Sequence, residues 1–566
     1  MWTIMVESKY PYWDGIWHPY KAMESHYNEM SYVELTEQKV KVWNSFATVE
    51  LGDSIDWNMD PFDNKTWGLY FNSLNWLYSL FWGYDRGVES SERMHNIVTD
   101  YCNYLQRGDV NEMAWFDHST SDRLCFLSVL FRHPIFLEFP QSSRDLITKI
   151  AFEHISKIRE FYDSKFWFNS NHGVFHALSI LNIAQVHPFS KTDYGLESFG
   201  AQYLEVSLRG ILSIKDAFTL EQSVYYHQLA LNLLQTIPES MFEKTSFDQD
   251  LTQLIPRMIN SNYWVTIDGK QMLPLGDTAY SANIPGIYSS FENPSEKIRE
   301  FSECGFSIYK SFEPTGKYNT VSFLHQPLRG PHGHFDALSV TISYQNIPYV
   351  IDSGGPYKYG DPFRFTYFMS NRAHNNIIID DKVHQSGSED VSSSNPYPGV
   401  YCLKASHKGY DPVKVSRELF IFEGKGVLVL DKITGIIDSV KIDSLWHFAV
   451  GCEIQVMDDS LNAEFSNFNL PIFVSNFDQL NMQIVSGQEG DNPQGWTTDG
   501  IGKRHPIQTL VATLDADSDT TMAFFFSLTE GNDFQITEDD FSITTPSGKN
   551  IITFNDDTGK SSIHLI

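Results

Sequence analysis

Near residue 300 the period of the hydrophobic pattern changes. Before it, SERMHNIVTDYCNYL (91–105), HALSILNIAQV (176–186) and YYHQLALNLLQTI (225–237) repeat apolar residues at spacings of three and four, as amphipathic helices do. After it, CGFSIYKSF, ALSVTISYQNIPYVID, GVLVLDKITGI, TLVATL, TMAFFFSL and NIITFND alternate over short runs separated by turn residues, as antiparallel strands do. Such a switch predicts an α half followed by a β half. A chain of 566 residues suits two to four domains. The expected division is a helical domain over 1–262, a loop-like join over 263–300 containing LPLGDTAYSANIPG, and an antiparallel β domain over 301–566. Helical hairpins in series, broken at MDPFDN and VHPFSKTD, point to an all-α toroid or bundle.

Acidic side chains outnumber basic ones by 30. That argues against nucleic acid and anionic membranes as partners, because both need basic patches. A local cluster of cations can still hold an anionic substrate. Aromatic residues reach 14%, which suits either a large aromatic core or a cleft where rings stack on sugar faces. The five cysteines are scattered and odd in number, so no disulfide framework is expected. No apolar run is long enough to span a membrane. The opening MWTIMVESKYPYWDG has no basic stretch leading into an apolar one, so no signal peptide is expected from it.

Four stretches carry candidate chemistry. In GPHGHFDALSV (330–340), His332, His334 and Asp336 alternate, which on a strand puts them on one face. His334, Asp352 and His374 form a two-imidazole, one-carboxylate set suited to zinc or another borderline divalent ion. Their spacing matches no compact metal motif, and ordinary hydrogen bonding within a sheet explains them equally. In FNSNHGVFHALSI, Asn171 and His172 stand before a helical run, where Asn171 suits an N-cap. In LEQSVYYHQLAL, Tyr225, Tyr226 and His227 open a helix, with Glu221 and Ser223 at its start. Arg329, Lys358, Arg364 and Arg372 gather around the histidine segments, as substrate cations or as plain surface charge.

Taken in order, WFDHSTSDR (115–123), NHG (171–173), EQSVYYH (221–227), LPLGD (273–277), HGHFDALS, IDSGG and YFMSNRAHNN (367–376) resemble the heparinase II/III family of polysaccharide lyases. The resemblance implies an incomplete (α/α) toroid followed by an antiparallel β-sandwich. It implies a bacterial enzyme that cleaves hexuronate-containing glycosaminoglycans such as hyaluronan, chondroitin sulfate and heparan sulfate by β-elimination, leaving 4,5-unsaturated uronate ends. It maps the catalytic set onto Asn171, His172, Tyr226 and His332, and a metal site onto His334, Asp352 and His374. The ion would be Zn or Mn in a structural role, with Asp336 behind it. Trp115, His118, Arg123, Tyr225, Arg329, Arg364 and Arg372 are expected to contact substrate. The family commonly has a basic residue between the two histidines, and Gly333 stands there. The alternatives are a lyase for alginate or a bacterial capsular polysaccharide, a uronate C5-epimerase, and a carbohydrate-binding protein without activity. Members are usually periplasmic or secreted. Oligomeric state is not readable from the chain.

Overall fold

The computed structural model describes residues 13–43, 45–52, 54–191, 194–286, 294–325, 330–465, 468–500, 502–529, 533–536, 540–545, 548–555 and 560–565. Two compact units emerge. The first comprises residues 1–212 and 232–252, the second 213–231 and 253–566.

The first unit is helical. Its longer helices are α1 (Ser91–Leu105), α2 (Asp117–Arg132), α3 (Gln141–Ser164), α4 (Asn171–Ala184) and α5 (Leu196–Ile211). α1 coincides with the first apolar-periodic segment. Its start is fixed by Ser90, whose side chain accepts the Glu92 N–H, satisfying one of the free amides of a first turn. α2 and α4 are buried along almost their whole length, so both are central helices of the unit. α6 (Val224–Thr236) begins in the part of the chain counted with the second unit. Among the described residues no helix is long and apolar enough to cross a membrane.

The second unit is an antiparallel β structure. Five consecutive strands between Ile298 and Val350 form a meander. A Val350–Phe448 bridge joins that meander to a four-stranded sheet centred on Val440–His447 and Gln508–Ala516. An eight-stranded sheet has Glu389–Tyr397 at one edge and Glu453–Val456 at the other. Residues of all three sheets, including Val340, Leu403, Val429, Trp446, Leu510 and Phe526, share one core. The AFFF run divides by parity: Phe524 and Phe526 join this core, while Ala523 and Phe525 join a second one. Strand alternation with both faces buried explains why that run is continuously apolar. A further four-stranded sheet spans Asp533–Leu565.

One expectation fails. Residues 330–339 are not a strand; the strand begins at Val340. Gly330, Pro331 and Gly333 interrupt any ladder, and the local backbone bonds are turns, Gly333 N–H to Gly330 O and Ser339 N–H to Asp336 O. All five cysteines are free, as expected.

Candidate active site: two polar clusters and a metal-competent triad

In the helical unit the cluster is built where α2 and α4 begin. Ser170, not Asn171, caps α4: its side chain accepts the His172 N–H. Asn171 is therefore the first helical residue, and it is 4% exposed. His172 Nδ1 lies 2.5 Å from Asp117 Oδ2 in the first turn of α2, and His176 Nε2 reaches the same oxygen at 3.2 Å. Burial alone would raise the Asp117 pKa. The facing His172 and the hydrogen bonds from His172 and His176 more than offset that and hold it well below the usual carboxylate range. The His172 ring is sandwiched. Trp167 stacks on it in parallel at 4.8 Å, and the His118 ring lies 3.9 Å away. With Nδ1 committed to Asp117, Nε2 is the nitrogen left to meet a ligand.

Three residues of WFDHSTSDR fall out differently. His118 packs against His172 and Phe175. Arg123 is 1% exposed and donates to His154, the Asn72 and Ala114 carbonyls and the Tyr101 hydroxyl. Its guanidinium is a buried hub of the unit and has no face left for a polymer. Trp115 lies over that guanidinium, at 5.6 Å, and against His154.

In the β unit one carboxylate collects the cluster. Asp277, in the LPLGD turn, is 1% exposed. Its Oδ2 receives His332 Nδ1 at 3.0 Å, the Tyr359 hydroxyl at 3.2 Å and Arg364 at 2.7 Å, while Oδ1 faces His334 Nε2 at 3.1 Å. Its own N–H donates to the His332 carbonyl. Against the upward push of burial, the His332 and His334 hydrogen bonds and the charges of His334 and Arg364 keep Asp277 ionised, well below its ordinary pKa. The turn needs glycine before it. Gly276 has φ +56°, and a Cβ there would meet the Gln222 carbonyl at 2.3 Å and the His332 carbonyl at 2.6 Å. Ser223 ties α6 to the same turn: its hydroxyl donates to the Asp277 carbonyl and accepts the Tyr226 N–H.

Tyr226 stacks on His332 with centroids 3.3 Å apart, and its hydroxyl pairs with that of Tyr359 at 2.8 Å. Burial and the nearby Asp277 charge push the Tyr226 hydroxyl well above pKa 10, against the downward pull of its hydrogen bond with Tyr359. A carboxylate only accepts, so the His332–Asp277 contact puts a proton on Nδ1, and in the neutral ring the lone pair is then on Nε2. That nitrogen is buried and has no hydrogen-bond partner among the described residues; the nearest carboxylate, Glu221, is 3.8 Å away.

The cations are mostly spent. Arg364 is 4% exposed and committed to Asp277 and the Pro331 carbonyl. Arg372 pairs with Asp381. Arg329 lies outside the described residues. Tyr225 is 52% exposed beside Tyr226. Asp277, Tyr359 and Glu221 were not among the residues expected to act. Asp277 and Glu221 each sit inside a motif that carried the resemblance, LPLGD and EQSVYYH, and that was the available signal.

His334, Asp352 and His374 form a buried set whose ligand atoms all lie within 4.8 Å of one another, the metal-competent group among the described residues. His334 Nδ1 and His374 Nε2 are buried without hydrogen-bond partners there. Asp277 holds the opposite nitrogen of His334, the arrangement by which a carboxylate fixes the tautomer of a metal-binding imidazole. Asp336 is buried, and its charge acts on His374. Two imidazoles and a carboxylate fit a borderline divalent cation.

Residues 293–558 match the family described as "Heparinase II/III-like, C-terminal". The chain carries a heparinase II/III-like C-terminal domain. Solved structures extend the likeness to the whole fold. A structure of heparinase III matches with 13% identity and a TM-score of 0.67, covering 100% of this chain and 93% of that one. A heparan sulfate lyase, HepC from Pedobacter heparinus, matches with 13% identity and a TM-score of 0.61, covering 95% of this chain and 88% of that one. The fold is thus the heparinase III fold, with a helical N-terminal region followed by an antiparallel sheet-rich region. No curated protein sequence matches the chain.

Proposed function

We propose that this protein is a polysaccharide lyase that cleaves hexuronate-containing glycosaminoglycans by β-elimination. The observation that carries the reading is the pairing of Tyr226 with His332. A hydroxyl held in its protonated form lies against an imidazole whose unshared nitrogen is free.

Elimination across C4–C5 of a uronate needs three things. The carboxylate must be neutralised so that removal of the adjacent proton becomes tolerable, a base must take that proton, and an acid must protonate the departing glycosidic oxygen. Asn171 and His172 serve the carboxylate as hydrogen-bond donors, with Asp117 fixing the His172 ring. His332 Nε2 takes the C5 proton, and Asp277 stabilises the imidazolium that forms. Tyr226 gives its proton to the leaving oxygen, and Tyr359 and Asp277 lie on the hydrogen-bonded path by which that proton is replaced. A phenolate base at Tyr226 would need its pKa lowered, whereas burial and Asp277 raise it. Lys358, beside Tyr359 in sequence, has no ion pair among the described residues and is a cation available to a polyanion.

His334, Asp352 and His374 would hold one divalent ion, Zn or Mn, whose chemistry there is structural: it ties three segments of the β unit together. Hyaluronan, chondroitin sulfate and heparan sulfate are the first substrates to test. Heparinase III and HepC bear names that point to heparan-type chains, and this supports the class.

A C5-epimerase shares the proton abstraction but leaves the chain intact. Reaction in heavy water separates the two. The lyase reading expects shortened chains with unsaturated ends; deuterium at C5 of full-length chains would replace it with epimerisation.

A further inference from the structure

Phe166 is 74% exposed, among the most exposed large apolar side chains described. A single exposed phenylalanine is ordinary, but this one packs edge-on against Trp167, the ring that stacks on His172. The turn Phe166–Asn169 follows Lys165, which has φ +56°. Phe168 turns inward onto Tyr162 and Tyr203. α5 passes so close that a Cβ on Gly210 would come within 1.9 Å of the Phe168 carbonyl, so only glycine allows the turn to sit there. Trp167 lies parallel to His172 at 4.8 Å with an interplanar angle of 4°, and Phe166 stands edge-on to Trp167 at 4.7 Å and 90°. Three rings in contact therefore lead from His172 to solvent.

We propose that Phe166 and Trp167 form a sugar-stacking subsite, which takes the pyranose ring next to the uronate whose carboxylate His172 holds. The axial C–H groups of a pyranose make an apolar face that packs on an aromatic ring, while hydroxyl and sulfate groups at its rim stay in water. An uncharged platform gains this contact without ionic attraction, so its contribution is independent of salt and of sulfation. The inference rests on the lyase reading for the placement of the uronate.

The test uses the full chain. Hyaluronan and heparan sulfate hexasaccharides are titrated calorimetrically into the Tyr226→Phe protein, with and without Phe166→Ala, at low and high salt. KM and kcat are measured in the otherwise unaltered enzyme. Phe166→Ala is expected to weaken binding and raise KM about tenfold, equally at both salt concentrations. kcat should change less than about twofold, because the stacked ring is bound alike in ground and transition states. Phe166→Trp should restore affinity, and melting curves should coincide. Affinity within about twofold of the parent, or a loss confined to low salt, overturns the proposal. If affinity depends on Phe166 but no unsaturated product ever forms, the subsite stands and the lyase reading falls. Failure of both oligosaccharides to bind overturns the subsite.

Discussion

Replacing Asp277 by asparagine keeps the side-chain shape and removes the charge that receives His332, His334 and Arg364. The amide can offer its N–H where His332 needs an acceptor, which favours the wrong tautomer and puts the proton on Nε2. Asp277→Asn is expected to lower kcat by about 10²–10⁴-fold with a smaller change in KM; turnover near the parent's would remove Asp277 from the orienting role. Tyr226→Phe is expected to reduce product formation at least about a hundredfold while oligosaccharide binding persists. Asp117 makes a different claim, on stability. Its folded pKa is depressed, so its contribution is present above the unfolded value of about 4 and drains away as pH falls below that. Chemical denaturation at a series of acid pH values should therefore show a steeper loss for the parent than for Asp117→Asn. Parallel curves would mean that His172 and His176 do not stabilise its ionised form.

At the scale of elements, regular structure was legible wherever periodicity was the dominant signal. α1 begins and ends with its apolar segment, and GVLVLDKIT, TLVATL and TMAFFFS all lie in strands. The 330–339 segment was not, because alternation of His332, His334 and Asp336 imitates a strand while Gly330, Pro331 and Gly333 impose a turn. The two histidines do converge, but on Asp277, 55 and 57 positions away in sequence. Periodicity could not single out Asp277 or Tyr359 either, because each lies in a loop, where no period predicts which way a side chain points; for Asp277 only the LPLGD motif carried a signal. Two predictions belong here. Gly276→Ala should destabilise the protein and depress activity together, since its Cβ has no room against the Gln222 and His332 carbonyls; a fully active, equally stable variant would show that the turn yields. His334→Ala should take bound Zn or Mn from about one ion per chain toward none by elemental analysis and lower the melting temperature. Metal-free parent protein would end the structural-ion proposal.

Over the whole molecule, the division into a helical and an antiparallel β region was readable from one change of period, and it matches the heparinase III fold at 13% identity. What pattern alone cannot reach is substrate choice, which depends on a few loop side chains and on charge. An excess of 30 acidic groups repels a polyanion at long range. Raising ionic strength from about 0.01 to 0.15 M shortens the screening length from about 30 to 8 Å, so kcat/KM on a uronate polymer should rise over that range. A steady fall would mean that local cations such as Lys358 govern encounter instead. The most direct measurement is ultraviolet absorbance of the conjugated 4,5-unsaturated uronate. The purified protein and its Tyr226→Phe variant are incubated with hyaluronan, chondroitin sulfates, heparan sulfate, heparin and alginate. Absorbance should rise with at least one glycosaminoglycan for the parent and stay flat for the variant. A flat trace across the panel from folded, metal-supplemented parent protein would contradict elimination as its reaction on these polymers.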